Sequence, residues 1–393
     1  MNTNDLRGAA RLAADATAGL TDLVEAMHER IARLPGAGGA APEGRTKGIT
    51  GLVYQSIRGV TKVVGGSVDA LLALIAPALA ADAPAAPPRR EREALVAALN
   101  GVLGDHLAAS ANPLAITMAL RSAGRALLLE REALAARLPD ARPTLVVLLH
   151  GLCMNDLQWQ RNDHDHGAML AKALDATPVY LHYNTGLPVT ENGRQFAGLM
   201  QQLLAAWPAP LQRVVLLTHS MGGLVARSAL QLGAAAGQAW PARVDDLVFL
   251  GTPHHGAPLE RAGHGVDLLL TAAPYAAPLA RLGRVRSAGI TDLRHGLSGP
   301  HHGPLPLPAG PRCWAVAATL GEGQGALKGR LLGDGLVPVD SALGRHRDPA
   351  HTLAFSSDGQ CVLQKTGHLD LLDSPEVAAR LRQWLGAGAA SSP

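Results

Sequence analysis

The sequence predicts an α/β fold, in which a mostly parallel sheet is covered by helices on both faces. Two observations support this fold class. Short apolar runs alternate with helical patterns between residues 143 and 256, and the alternation returns between 314 and 385. In addition, the apolar run at 214–217 leads through a turn of small residues directly into a helical stretch. Strands that alternate with helices form parallel sheets, and their buried strands read as nearly continuous apolar runs.

The expected elements follow in chain order. Buried strands are expected at 146–149, 178–181, 214–217 and 247–250, and further strands at 314–318 and 360–364. Helices are expected at 168–174, 193–206, 223–232 and 375–385. Each strand is short and apolar, whereas each helical stretch has the longer apolar spacing of a helix that covers a sheet.

Two regions lie outside this alternation. Residues 1 to about 140 are rich in Ala and look helical, with Gly/Pro linkers at 35–44 and 83–89. Residues 257–310 are rich in Pro, Gly and His and carry one apolar helical patch at 266–280. We therefore expect a helical N-terminal extension over 1–140. The α/β domain over 141–393 would then carry a cap insertion at about 257–310.

Composition limits the possible functions. Of the 393 residues, 47% are hydrophobic and only 3% are aromatic, so a sizeable core must be built from Leu, Val and Ala. The net charge of +3 is too small to indicate a nucleic-acid partner. The three cysteines, at 153, 313 and 361, fit neither a disulfide framework nor a zinc ribbon.

The start of the chain has no basic segment followed by an apolar core, as a secretory signal would have. The longest apolar stretch of the N-terminal third, 70–81, is too short to span a bilayer. We therefore expect a cytoplasmic protein.

The segment around Ser220 has the features of a nucleophile elbow, a tight turn that lifts a serine hydroxyl above the edge of a sheet. Thr218 stands where the first glycine of the G-x-S-x-G pattern usually stands, and Gly222 fills the last position. The alternative is a serine that caps the helix beginning near Met221. A serine is a weak nucleophile, so the first interpretation also needs a base and an acid elsewhere in the chain.

A candidate oxyanion hole follows the strand at 146–149, where His150, Gly151 and Leu152 stand. Acyl transfer needs backbone N–H groups that point at the developing oxyanion. In a parallel sheet this strand end lies beside the elbow, so the N–H groups of Leu152 and Met221 would act together. The alternative is an ordinary glycine between a strand and a loop.

The acid and the base are expected after later strands. Asp334 stands between two glycines, where a loop turns its carboxylate back toward the sheet edge, and Asp340 is the second candidate. His368 follows the last strand and would take the serine proton and then protonate the leaving group. The alternatives are a simple Asp-Gly turn and a surface histidine. We expect a triad of Ser220, Asp334 and His368.

These motifs resemble those of α/β hydrolases of the lipase and esterase type. The segments at 150–152, 218–223 and 333–338 are similar to those of bacterial lipases. Residues 250–256 are similar to the segment after strand six in those lipases and in GPI-inositol-deacylase-like hydrolases. The resemblance covers residues 143–386. It implies the α/β-hydrolase fold, the order Ser, Asp, His, and hydrolysis of carboxylic esters without an organic cofactor. It also implies that His254 packs under the elbow helix and is not catalytic.

Other polar residues are weaker candidates. Residues 163–166 alternate Asp and His, which are metal-ligand types. Neighbouring side chains alternate in direction, so at most His164 and His166, or the two aspartates, share a side. We prefer a solvated loop that leads into the next helix and expect no metal. His295, His301 and His302, in the insertion, are expected to be exposed.

Two apolar segments leave alternatives open. On a helix over 45–76, Lys47, Arg58 and Lys62 would lie opposite a wide apolar side. Such a basic amphipathic helix can lie on an anionic lipid surface, although we prefer an accessory helix docked on the α/β domain. The apolar patch at 266–280 could line an acyl pocket or pack into the core.

We therefore expect a serine hydrolase that cleaves carboxylic esters of small molecules or lipids. Ser220 would form an acyl-enzyme, His368 would act as base and then acid, and Asp334 would hold His368. The nearest alternative is a thioesterase or acyltransferase with the same triad. A further alternative is a protein of a lipid or granule surface with weak hydrolase activity, bound peripherally through residues 45–76.

Overall fold

A computed structural model of the chain describes residues 4, 7–8, 10–11, 90–257, 287–296, 305–321 and 333–386. Three expectations lie outside these residues, namely the amphipathic segment at 45–76, the apolar patch at 266–280 and the exposure of His301 and His302. The side chain of His295 also lies outside them.

The described strands form one eight-stranded sheet in the order β2-β1-β4-β3-β5-β6-β7-β8. The strands are β1 Ala119–Ser122, β2 Arg125–Ala126, β3 Thr144–Leu149, β4 Ala176–His182, β5 Arg213–His219, β6 Asp246–Leu250, β7 Arg312–Thr319 and β8 Gln360–Gln364. Strands β3 to β8 are parallel, whereas β1 pairs antiparallel with β2 and β4. Each of the six strands expected from the sequence lies within an observed one, so the α/β fold class is confirmed.

Most of the described α-helices lie between these strands in the sequence. One precedes the first strand and one follows the last. The helices are α1 Arg90–Ala109, α2 Arg131–Arg137, α3 His166–Leu174, α4 Val189–Ala206, α5 Met221–Ala235, α6 Ala288–His295, α7 Val339–Ala342 and α8 Pro375–Gly386. Short 3₁₀ helices occur at Asp156–Trp159, Trp240–Arg243, Pro349–His351 and Asp370–Leu372. The four helices expected within the α/β region are all present.

Residues 119–126 correct the expectation that the chain is helical up to about residue 140. They form the hairpin of β1 and β2, in which Ala123 and Gly124 have positive φ of 50° and 71°. Two consecutive positive φ values are typical of the tight turns that join antiparallel strands. The hairpin is stabilised by pairing with β4, where Leu120 lies opposite Leu181. Because this partner is so distant in the sequence, the hairpin has no local signal. The Ala-rich composition therefore predicted a helix at a place where the chain forms two strands.

The core of the sheet has two faces, because alternate strand residues point in opposite directions. On one face Val146 and Leu148 belong to a cluster with Leu170 of α3 and Leu381 of α8, all with at most 1% exposure. Helix α5 packs over β5, β3 and β6, against the other face. Fully burying a side chain of this size contributes about 1.5–3 kcal/mol, so these contacts account for much of the stability of the layers.

The chain divides into two compact units. One comprises Met1–Pro87 and Leu107–Ala115, and the other Pro88–His106 and Ile116–Pro393. The second unit contains the whole sheet. The boundary at residue 140 and the cap insertion at 257–310 remain predictions. Among the described helices none is long and apolar enough to cross a membrane.

The strand register brings three loops together at the carboxyl edge of the sheet. Leu149 lies opposite Thr218, and His219 lies opposite Leu250, so β3, β5 and β6 end at the same level. The residues that follow them are His150, Ser220 and Gly251. Candidate chemistry from three separate segments therefore meets at one edge.

Candidate active site

Ser220 occupies a tight turn between β5 and α5, with φ of 53° and ψ of −123°. Its N–H donates to the Leu250 carbonyl at 2.8 Å, and its carbonyl accepts from Gly223 N at 3.1 Å. Within the described residues the hydroxyl forms no capping hydrogen bond to α5. The backbone therefore has the elbow conformation, and the alternative of a helix-capping serine has no support.

Small residues around Ser220 allow helix α5 to approach the sheet closely. A Cβ on Gly222 would overlap the carbonyl oxygen of Leu149, and a Cβ on Gly223 would overlap the hydroxyl of Thr252. Thr218 is fully buried and donates its hydroxyl to the Val248 carbonyl at 2.8 Å. A threonine is therefore accommodated at the first position of the motif, because its polar atom bonds across to β6.

The loop after β3 lies directly against the elbow. A Cβ on Gly151 would lie 3.0 Å from Cβ of Ser220. His150 Nδ1–H donates to the Gly151 carbonyl at 2.9 Å, and the Tyr183 hydroxyl donates to the His150 carbonyl at 2.8 Å. Burial lowers the pKa of His150 to about 3, so its ring is neutral near pH 7. These bonds fix the backbone that leads into Leu152.

The two amides expected in the oxyanion hole flank this contact. Leu152 follows Gly151, and Met221 is the first residue of α5; both side chains are buried. The first N–H groups of a helix have no partner within it, so the amide of Met221 has the position in which helix amides bind anions. The structure thus brings both residues to the elbow.

Asp334 and His368 form a buried pair. His368 Nδ1–H donates to Asp334 Oδ2 at 2.7 Å, and the exposed fractions are 3% for His368 and 2% for Asp334. The second oxygen of Asp334 accepts from Leu336 N at 3.0 Å and Val337 N at 2.8 Å. Gly333 has a positive φ of 55°, which lets the loop turn the carboxylate inward. Backbone donors therefore hold one oxygen of the carboxylate while the other oxygen contacts the histidine.

The other nitrogen of His368, Nε2, is buried and has no hydrogen-bond partner among the described residues. Because Nδ1 carries a proton toward Asp334, Nε2 of the neutral ring presents a lone pair. A buried imidazole that is oriented by a carboxylate and has an open basic nitrogen is the arrangement that general-base catalysis needs.

Asp340, the second candidate for the acid, lies elsewhere. Its side chain is 48% exposed and forms a 3.9 Å ion pair with Arg345. Asp334 is the aspartate whose carboxylate accepts from His368 Nδ1.

Two residues of the site were not singled out from the sequence. Gly251 has a φ of 59°, and a Cβ on it would lie 3.1 Å from both Cε1 and Nδ1 of His368. His219 donates from Nε2 to the His368 carbonyl at 3.1 Å. The available signals were a glycine immediately after an expected strand and a histidine immediately before Ser220.

His254 packs under the elbow helix, as the resemblance implied. Its Nδ1 accepts from Nη1 of Arg227 in α5 at 3.1 Å, and its ring lies edge-on to Phe249 at 4.6 Å. Burial, together with the nearby arginine, lowers the pKa of His254 well below its usual range. Its ring has no contact with Ser220, Asp334 or His368 among those that the structure describes.

Residues 163–166 are only partly a solvated loop. His166 is fully buried, so that expectation is wrong for this residue. His166 donates from Nε2 to the Leu371 carbonyl at 3.0 Å, and its Nδ1 therefore accepts from His164 Nε2 at 2.8 Å. The two histidines do share a side. Within the described residues no group of three or more His, Cys, Asp or Glu side chains could hold a metal ion, and the three cysteines are free thiols.

Comparison with known proteins agrees with this architecture. Residues 196–295 match the family model described as a PGAP1-like alpha/beta domain. The match begins in α4 and includes Ser220 and the whole of β6. The fold is that of an α/β hydrolase. No curated protein matches this chain.

Several solved structures are similar to this chain. The mature lipase BlEst2 of Bacillus licheniformis is 20% identical over 63% of this chain and 93% of its own, with a TM-score of 0.39. An esterase of Pyrobaculum calidifontis is 13% identical over 64% and 78%, with a TM-score of 0.39. The RedJ thioesterase of the prodiginine biosynthetic pathway in Streptomyces coelicolor is 17% identical over 63% and 91%, with a TM-score of 0.36. The fold assignment rests on the strand order and the elbow described above.

Proposed function

We propose that this protein is a serine hydrolase that cleaves carboxylic esters through an acyl-enzyme on Ser220. The observation that carries the proposal is the buried Asp334–His368 pair, with its 2.7 Å hydrogen bond and its open Nε2. The pair follows strands of the same sheet whose carboxyl edge carries the Ser220 elbow. A nucleophile, a base and an orienting acid are the groups that acyl transfer requires.

Each step of the proposed reaction uses one of these groups. His368 Nε2 takes the proton of Ser220 as the serine oxygen bonds to the ester carbonyl carbon. The carbonyl oxygen becomes an oxyanion, which the N–H groups of Leu152 and Met221 stabilise. The protonated His368 then gives its proton to the leaving alcohol, and the acyl group stays on Ser220. Water attacks the acyl-enzyme in the same way and releases the carboxylic acid.

Asp334 has a separate task in this scheme. It accepts from Nδ1–H and so keeps the basic lone pair on Nε2, where the serine proton is needed. When His368 becomes positively charged, the carboxylate lies 2.7 Å away and stabilises it. The two backbone donors to Oδ1 keep Asp334 oriented throughout.

The direct test is covalent labelling. An alkyl fluorophosphonate should attach to Ser220, and peptide mass spectrometry should locate the adduct there. Ser220→Ala should remain unlabelled. Ser228→Ala is the matched control, because Ser228 is a second buried serine, on the helix that follows the elbow, and this variant should label like the parent. An adduct at another residue, or ester hydrolysis that persists without any adduct, would refute the mechanism.

The leaving group is the finer part of the proposal. A thioesterase or an acyltransferase would use the same three side chains, so activity on matched oxygen esters, thioesters and acyl acceptors decides among them. We propose oxygen esters as the preferred class. A kcat/KM that is higher for the thioester of the same acid, beyond the thioester's greater intrinsic reactivity, would reassign the enzyme.

Two further segments keep the alternatives that the sequence gives them. The insertion at about 257–310 forms either an acyl-binding cap or part of the core, and the segment at 45–76 either docks on the α/β domain, which we prefer, or contacts a lipid surface. An apolar cap predicts that binding strengthens with acyl length, by about 0.8 kcal/mol for each buried CH₂. A series of esters from acetate upward tests the cap. Co-sedimentation with anionic vesicles tests the segment at 45–76, and the absence of binding would favour the docked-helix alternative.

A further inference from the structure

The imidazole of His219 is buried between the nucleophile strand and the loop of His368. Its Nε2 lies 3.1 Å from the His368 carbonyl, and the two rings lie 4.7 Å apart at a tilt of 47°. Both side chains are at most 3% exposed. His219 immediately precedes Ser220, so one side chain from the nucleophile strand reaches the residue that the proposed function uses as its base.

The direction of this hydrogen bond is fixed by chemistry. A carbonyl oxygen can only accept, so Nε2 of His219 carries the proton and Nδ1 carries none. Burial lowers the pKa of His219 well below its usual range, and the nearby His368 lowers it further. His219 therefore stays neutral in one tautomer, and the donor is always present.

His368 is held on both sides of its backbone. Its own N–H donates to the Asp334 carbonyl at 3.1 Å, and its carbonyl accepts from His219. The loop of Asp334 therefore bonds to the N–H of His368, and the strand that leads to Ser220 bonds to its carbonyl. The segments of all three triad members are thus tied together through the backbone of a single residue.

We propose that His219 is a positioning residue, which sets the location of His368 relative to Ser220. The inference rests on the proposed function, and it assigns a role to a side chain that never touches the substrate. Catalysis depends strongly on such placement, because a shift of about 1 Å can cost about a hundredfold in rate. Loss of the His219 donor should therefore lower kcat with little effect on KM.

A loss of kcat on substitution of His219 could also come from disturbed packing, since its ring fills space in the core. A Cβ on Gly151 would lie 3.0 Å from its Nδ1, and Trp159 lies edge-on at 6.5 Å. Two variants separate the effects. His219→Phe keeps an aromatic ring but has no donor. His219→Gln has an amide NH₂ at about the reach of Nε2, so it can still donate to the His368 carbonyl.

The experiment compares these variants on one ester substrate. His219→Phe should lose about tenfold in kcat, which corresponds to one ordinary buried hydrogen bond, with KM within about twofold. His219→Gln should recover most of the loss. Thermal unfolding shows whether both variants fold. A folded His219→Phe with parental kcat, or an equal kcat loss in both variants, would overturn the proposal.

A second readout does not depend on ester hydrolysis. The Nδ1 proton of His368 in its short bond to Asp334 should give a low-field proton NMR signal, identified by its loss in Asp334→Asn. This signal should persist in His219→Gln and broaden or vanish in His219→Phe. If the parent has this signal but cleaves no ester, the proposed function is wrong and the positioning role of His219 still stands. If the signal is unchanged in His219→Phe, the positioning role fails.

Discussion

Two buried carboxylates, Asp246 and Asp334, lie at opposite edges of the same sheet. They differ in whether the groups that donate to them are left with an unpaired polar atom. At the amino edge β5, β6 and β7 begin with Arg213, Asp246 and Arg312. Asp246 is fully buried and accepts from Arg213 at 2.6 Å, from Arg312 at 3.0 Å and from Trp314 Nε1 at 3.0 Å. Its charge and its oxygens are satisfied within the protein.

At the carboxyl edge Asp334 is equally buried, but the partner it orients is left with an open atom. His368 Nε2 has no partner among the described residues. The proposed function gives this open nitrogen a use, because it is the atom that would take the serine proton. Under the proposed function, the amino-edge cluster serves stability and the carboxyl-edge pair serves chemistry. Substitutions at the two edges should therefore change different measurements.

The largest effect is expected at the nucleophile and its base. Ser220→Ala and His368→Ala should each lower kcat by about 10⁶, and the double variant should be no worse, because the groups act as a unit. Steady-state kinetics of the three variants test this. Additive losses would mean that the two side chains act independently, which would remove the basis for calling the carboxyl edge one catalytic unit.

The next effect separates the two candidate acids. Asp334→Asn should lower kcat by about 10⁴, since an amide favours the wrong tautomer of His368. Asp340→Asn is the control, because that carboxylate is about half exposed and pairs with Arg345 at the surface. Its kcat should match the parent. The opposite ranking would move the acid away from the pair that the structure describes.

At the amino edge the expected change is in stability. Asp246→Asn should lower the free energy of unfolding by about 3 kcal/mol, because Arg213 and Arg312 lose their counter-charge. Urea denaturation measures the loss. Asp245→Asn is the control, since Asp245 is exposed and its carboxylate accepts from the amide of Val214 at 2.8 Å. A large fall in the kcat of folded Asp246→Asn would contradict the division of roles between the edges.

The smallest effect, as a change per unit of pH, concerns a buried polar group that is fully paired. Burial lowers the pKa of His166 to about 4, so the unfolded chain binds its proton first as the pH falls below 6.5. Stability is therefore present above pH 6.5 and is lost toward pH 4, by at most about 1.4 kcal/mol per pH unit.

His166→Gln removes this proton uptake and keeps a donor for the Leu371 carbonyl. Urea midpoints between pH 4.5 and 7 should consequently vary less in this variant than in the parent. An unchanged slope in His166→Gln would show that His166 does not titrate over this range.

The parallel strands and the elbow could be predicted because their signals are local. An apolar run followed by Thr218 to Gly223 specifies a strand, a turn and a helix within ten residues. Asp334 and His368 could be found because flanking glycines and a position after a strand mark loops at one sheet edge. In each case the residues themselves contain the information.

The remaining features depend on partners far away in the chain. The β1–β2 hairpin is stabilised by β4, and His166 is buried by the segment that contains Leu371. The role of His219 depends on a carbonyl 149 residues away. Such contacts form only once the sheet has brought the segments together, so pattern and spacing do not reveal them.

The positive φ of Ser220 also affects how stable the protein can be. A side chain other than glycine in this region costs of order 1–3 kcal/mol, and the rest of the fold must compensate for it. A Ser220→Gly protein should therefore be inactive yet harder to unfold than Ser220→Ala, and the difference in unfolding free energy between these two variants measures the strain. Glycine would relieve this strain, and under the proposed function the hydroxyl is the reason that a serine stands here.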